Sequence, residues 1–317
     1  MVRFERNDGV GQRVRRIAMK TFGWLVLALM LTACVQLVRH SGDAPVPPRD
    51  PDVLRLATYN VHYIILREPT GPWSVGDWDR RKGPLDLAFK AVDADVIAFQ
   101  EMESFAGGND GGTNLTLDWL LAQNPGYRAA AVGDWREFPS TQPILYRADK
   151  LEAVDQGWFF FSDTPDVIYS RTFNGSYPAF ASWAEFQRPD GARFKVVNVH
   201  FEYSSRSNRL LSAALVRDRI GPWIAAGETV FLVGDKNARL GARTLQILAE
   251  AGLQFAPVDG ATYHFDRGIN LFGAIDHVAY PDGVTLAGGP VVLRRRFAGE
   301  WPTDHYPVLA DFRLPAR

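Results

Sequence analysis

Polar residues of a narrow kind close a series of apolar runs in this 317-residue chain. Asn60 ends "LRLATYN", Glu101 ends "DVIAFQE", His200 ends "FKVVNVH", and Asp235 ends "TVFLVGD" two residues before Asn237. Asp276 lies in "AIDHVAY", and Asp304 with His305 lies in "TDHYPVLADF". Carboxylate, amide and imidazole donors with no thiol among them suit Mg2+ or Mn2+, held by few protein ligands and several waters. Each residue also has an ordinary reading. Asn60 is a common turn former, Glu101 could cap a helix, His200 could be a satisfied core histidine, and Asp235 with Asn237 could form an Asx turn. Asp276, if buried, requires a partner, either a structural arginine or a functional histidine. The ordinary readings must hold separately at five strand ends, whereas one metal-dependent phosphate site accounts for all of them.

The elements that must position these residues follow from the runs themselves. Segments of this length, rich in Val, Ile and Phe and bounded by turn residues, predict strands buried on both faces, and "PILYR" (143–147) adds another. Between them, residues 86–94, 115–124, 207–226 and 242–252 carry apolar residues at three- and four-residue spacing, which predicts helices with one packed face. Helices covering two stacked sheets fit this order. In such sheets the loops converge at strand ends, so the polar residues can share one cleft. No internal repeat appears, and no linker after Pro51 divides the body.

Six segments, "TYNVHY", "FQEM", "VVNVHF", "GDKNA", "IDHV" and "TDHYPV", occur in the order of the endonuclease/exonuclease/phosphatase superfamily, and on them residues 53–314 resemble that superfamily. Its members include deoxyribonuclease I, exonuclease III, neutral sphingomyelinases and inositol polyphosphate 5-phosphatases. The resemblance implies an α/β fold, a four-layer sandwich of two mixed β-sheets packed face to face with helices outside, and hydrolysis of a phosphate ester with a divalent cation. It implies Glu101 as principal metal ligand, with Asn60 and Asp304 completing or supporting that site. Asp235 and Asn237 then orient the attacking water and the phosphate, His200 donates to a phosphoryl oxygen, and His305 paired with Asp276 is the acid–base group. Arg171 is a candidate for substrate phosphate, an ordinary structural arginine being the alternative. Lys236 departs from the superfamily, where an apolar or aromatic residue is usual. Alternation along an extended segment turns it away from Asp235 and Asn237, its stem covering apolar surface and its ammonium reaching water or an acid.

The remaining signals concern place and partner. The formal charge of −1 divides unevenly: residues 1–33 hold six basic and two acidic residues, leaving 29 against 34 in the rest. A body that acidic is not a nonspecific nucleic-acid binder by charge alone. The single cysteine excludes a disulfide framework. It is Cys34, at the end of "KTFGWLVLALMLTAC", where basic residues precede an apolar run from Phe22 to Ala33 in the layout of a secretory signal. "LTAC" resembles a bacterial lipobox, so residues 1–33 are expected to be a signal peptide, Cys34 to be lipidated, and residues 34–52 to be a proline-rich spacer before a domain at 53–317. An uncleaved anchor is the alternative. The expected location is the cell envelope, a membrane lipoprotein with the outer membrane favoured, and the expected assembly a monomer. The expected function is a nuclease-type phosphodiesterase, with Arg294 to Arg296 a basic patch near the site. The alternatives are a phosphodiesterase or phosphatase acting on phospholipid head groups or small phosphate esters, and a noncatalytic binding protein on the same fold.

Overall fold

The computed structural model describes residues 8–42, 44–106 and 112–315, and side chains from residue 15 onward. The first seven residues of the expected signal therefore lie outside the described residues. In chain order the first half comprises α1 (Asp8–His40), β1 (Leu54–Asn60), β2 (Ile64–Ile65), α2 (Val75–Val92), β3 (Val96–Gln100), β4 (Ser104–Phe105), α3 (Leu115–Gln123), β5 (Tyr127–Ala130) and β6 (Ile144–Arg147). The second half comprises β7 (Glu152–Phe160), β8 (Phe180–Gln187), β9 (Arg193–His200), α4 (Arg206–Ala225), β10 (Val230–Asp235), α5 (Arg243–Ala249), β11 (Leu253–Phe255), β12 (Asp276–Pro281), β13 (Thr285–Val292) and β14 (Val308–Arg313).

Two six-stranded sheets, ordered β13-β14-β1-β3-β6-β5 and β11-β12-β10-β9-β8-β7, stack on an apolar layer that includes Phe186, Phe194, Phe231, Val233 and Phe312. Outside the first sheet, Leu85 and Phe89 of α2 and Leu120 of α3 pack over Ile97 and Leu145. Outside the second, Val216 and Ile220 of α4 and Leu248 of α5 pack over Val197 and Leu232. The result is the four-layer α/β sandwich. Strand β7 carries no sequence signal of the buried kind because it is an edge strand, largely exposed along its first half.

The two sheets share one device. Each has a parallel pair at its centre, β1 with β3 and β9 with β10, among antiparallel neighbours. Parallel strands end at the same edge, so Asn60 and Glu101 emerge together, and His200 aligns in register with Asp235. Asp235 also aligns with Asp276 at the start of antiparallel β12. A buried polar bridge joins the sheets beneath this edge: Gln100 Nε2 donates to Asn198 Oδ1 at 2.6 Å, and Asn198 Nδ2 donates to the Phe99 carbonyl at 2.7 Å. Gly234 lets β9 and β10 approach there. Its φ is +124°, and a Cβ would sit 2.0 Å from the Val199 carbonyl oxygen.

The N-terminal segment differs from expectation in two ways. Apolar Val35, Leu37 and Val38 carry the helix past Cys34, so that Arg15–His40 forms 26 residues long and apolar enough to cross a membrane, rather than a run ending at Ala33. The segment beyond it is docked rather than a loose spacer. Arg49 pairs with buried Asp95, and Arg55 donates to the Pro47 carbonyl at 3.0 Å. Arg294 reaches the carbonyl of Gly42. Contacts to the body therefore precede Val53, the first buried residue of the core.

Candidate active site

The strand ends bring Asn60, Glu101, His200, Asp235, Asp276, Asp304 and His305 to one edge of the sandwich. Asn60 Nδ2 donates to Glu101 Oε1 at 3.0 Å and lies 3.3 Å from Asp235 Oδ2, while its Oδ1 accepts the His62 N–H at 3.1 Å. Asn60 thus orients the two carboxylates, and its Oδ1, with a second lone pair, can still offer oxygen to a cation. Glu101 Oε2, by contrast, makes no hydrogen bond among the described residues, and the side chain is 25% exposed.

Asp235 is the hub. Its Oδ1 accepts the Asn237 N–H at 2.8 Å, and its Oδ2 lies 3.7 Å from Nε2 of both His200 and His305. His200 Nε2 is also 3.6 Å from Glu101 Oε1. The Asn237 side chain lines the cleft while its Nδ2 donates to the Phe201 carbonyl at 2.8 Å. It pins the loop, and its main-chain N–H serves the site. Glu101 and Asn237 both have left-handed backbones, φ +54° and +45°. Asparagine tolerates that region; glutamate held there stores roughly 1–3 kcal/mol of strain, of the kind that collects at working sites.

The field of these charges is set by burial. Burial disfavours the imidazolium of His305, but Asp276, through its charge and a 2.9 Å hydrogen bond to Nδ1, outweighs it with help from Asp235 and Asp304. The His305 pKa is pushed up to about 10. Burial, and then the charge of Asp276, push Asp235 up to about 6. Although burial opposes ionisation of Asp276 and Asp304 as well, His305 holds both below the usual carboxylate range. Asp235, Asp276 and His305 offer donor atoms within 4.8 Å of one another. Because Asp276 Oδ2 is already bonded to His305, that trio has the geometry of a proton relay.

The cleft above these groups has a volume of about 1210 Å3. Glu101, Glu103, His200, Asp235, Asn237, Asp304 and His305 line it, and so do ten aromatic side chains, among them Tyr63, Phe105, Trp135, Tyr177, Tyr263 and Phe272. Arg239, stacked over Phe272, is the one lining residue with a permanent positive charge among the described residues. Arg171 is exposed and does not line the cleft. Nor do the expected basic residues: Arg294 is bonded to the Ala261 carbonyl at 2.7 Å, and Arg295 and Arg296 lie over Phe297 and Trp301.

Glu103, Tyr263 and Arg239 are among the lining residues that escaped the sequence reading. Glu103 is pushed up to about pKa 7 by burial and then by Glu101; it lies past the end of β3, where the left-handed backbone of Glu101 breaks the alternation that would have placed it. Tyr263, whose ring centroid is 5.0 Å from that of His305, and Arg239 stand on loops, where periodicity says nothing. Lys236 is absent from the cleft and differs from expectation otherwise. It reaches neither water nor an acid: fully buried, its Nζ donates to the carbonyls of His277 at 2.9 Å, Gly234 at 3.2 Å and Leu232 at 3.4 Å.

No family model matches the sequence, and no curated protein matches it. Solved structures do. An endonuclease/exonuclease/phosphatase family protein from Bacteroides thetaiotaomicron is 23% identical over 83% of this chain and 98% of that one, with a TM-score of 0.67. A mannosyl-6-phosphatase from the same species is 23% identical over 82% and 99%, with a TM-score of 0.65. TDP2 of D. rerio, complexed with a single-strand DNA product, is 14% identical over 83% and 99%, with a TM-score of 0.58. The fold of this chain is therefore that of the endonuclease/exonuclease/phosphatase proteins.

Proposed function

We propose that the chain is a divalent-cation-dependent phosphoesterase, an Mg2+ or Mn2+ hydrolase of the cell envelope. The observation that carries the reading is the convergence of Glu101, Asp304, Asp235 and two histidines at one sheet edge, with Asp276 fixing one ring. Glu101 and Asp304 suit the cation: both are oxygen donors, no thiol competes, and Glu101 Oε2 has no other partner among the described residues. A divalent cation held there would polarise a phosphoryl oxygen and offset the anionic field around His305. The side chains do the remaining work. Asp235 Oδ2, equidistant from His200 and His305, marks where an attacking water is oriented. His200 can donate to a nonbridging oxygen as charge builds on it. His305, its tautomer fixed by Asp276, holds or passes a proton at Nε2.

The charge of the cleft favours a single phosphate ester over a long polyanion. One arginine faces several acids, and the patch at Arg294 to Arg296 that supported a nuclease is engaged elsewhere. Hydrolysis of bis(p-nitrophenyl) phosphate should require Mg2+ or Mn2+ and cease with EDTA. Glu101→Ala should abolish it, and His305→Ala should lower turnover by ~10²–10⁴-fold, the scale of a positioned acid–base group. Activity that survives both EDTA and Glu101→Ala would overturn the proposal.

A further inference from the structure

The end of α1 is built into the wall of the cleft. The Ala261 N–H donates to the His40 carbonyl at 3.1 Å, Asn270 Nδ2 donates to Ser41 Oγ at 2.9 Å, and Arg294 holds the Gly42 carbonyl. These partners belong to the segment 259–273 and its support, and that segment supplies Tyr263, Phe272 and Gly273 to the lining. His40 Cε1 lies 3.7 Å from where a Cβ on Gly273 would stand. Phe272 and Tyr203 of the lining, and Leu240 next to lining Arg239, are large side chains that face solvent.

The helix that ends there exposes Phe22, Trp24, Leu29, Met30 and Val38 with no protein surface against them. The 26-residue stretch Arg15–His40 extends about 39 Å, against a bilayer core of about 30 Å. Two modes of attachment lead to the same placement. An uncleaved α1 leaves the membrane near Arg39, whereas a chain cut and acylated at Cys34 enters it six residues before His40, about 9 Å of helix. In both, the wall at 259–273 stands at the membrane surface.

We propose that the cleft mouth rests on the bilayer that holds α1, and that the substrate is a phosphate ester in a lipid head group presented there. This rests on the phosphoesterase reading and adds the substrate class. Tyr203, Leu240 and Phe272 meet the interface, Arg239 meets lipid phosphate, and the aromatic walls accept the apolar portion next to the ester.

The test uses the full chain in vesicles of phosphatidylcholine and phosphatidylglycerol. A spin label at Leu240→Cys should be shielded from a water-soluble relaxation agent and reached by a lipid-borne one. A label at Asp190→Cys, in the β8–β9 turn at the far end of β9 from His200, should show the reverse, the parent protein being the blank for Cys34. The vesicle phospholipid should be hydrolysed. Inserting twenty Gly/Ser residues between Val38 and Arg39, which keeps the docked contacts and loosens the tether, should cut that rate at least ~10-fold while leaving bis(p-nitrophenyl) phosphate turnover unchanged. Equal aqueous exposure at 240 and 190, or soluble ester or DNA oligonucleotide cut while the phospholipids stay intact, overturns the proposal. Loss of turnover on the soluble ester itself would instead sink the phosphoesterase reading.

Discussion

Lys236 and His305 are both buried and both feel Asp276 and Asp235, yet their proton affinities are shifted in opposite senses, and stability should record the opposition. Burial lowers the Lys236 pKa to about 7, against the attraction of Asp276 and Asp235. Between about pH 7 and 10.5 the unfolded chain therefore binds the extra proton at this position, and stability rises with pH. His305 holds its proton up to about 10 in the fold but releases it near 6.5 when unfolded, so its contribution is complete below 6.5 and disappears toward 10. The two slopes oppose each other in the wild type. In metal-free Lys236→Met only the falling one remains, and the urea midpoint should drop more steeply between pH 7 and pH 10 than the wild type's. Parallel profiles would show that Lys236 is charged throughout. That Lys236 turns from the cleft is an inference alternation permits; that it meets three carbonyls and no water depends on β12 closing over it, a contact 41 residues away.

At the scale of elements, the close approach of β9 and β10 is what sets His200 against Asp235. Gly234→Ala would combine a disfavoured φ with a Cβ 2.0 Å from a main-chain oxygen, and neither strand can yield without moving His200 or Asp235. The substitution should cost more than about 3 kcal/mol, measured by denaturant unfolding; a loss under 1 kcal/mol would mean the strands part freely. Much of this layer was legible beforehand. The runs ending in Asn60, Glu101, His200 and Asp235 announced themselves as buried strands with polar ends, and their clustering followed from parallel pairing. The commitments of Asn60 and Asn237 were not, because both sit where the chain leaves the strand and left-handed residues redirect it. The cleft's aromatic walls were equally hidden, since loops supply most of them.

For the molecule as a whole, the mode of attachment decides how α1 is held. Cys34 is exposed on the helix. If it carries acyl chains, Cys34→Ser should release the protein from membranes on cell fractionation; continued detergent-requiring association would assign retention to the uncleaved helix.

The position of β14 has a consequence for how such a chain is made. It inserts between β13 and β1, joined to β1 by the buried Arg55–Asp311 ion pair across 256 residues. While the chain emerges N-terminus first, β1 has one edge open, and Asp304 and His305 arrive only with the segment that closes it. Half-made chains thus present a template for strand addition before the site is complete. Refolding should show the same lag, with ellipticity from the local helices returning first and turnover under the proposed activity last, since β14, which carries Asp304 and His305 in, pairs with β1 across the length of the chain.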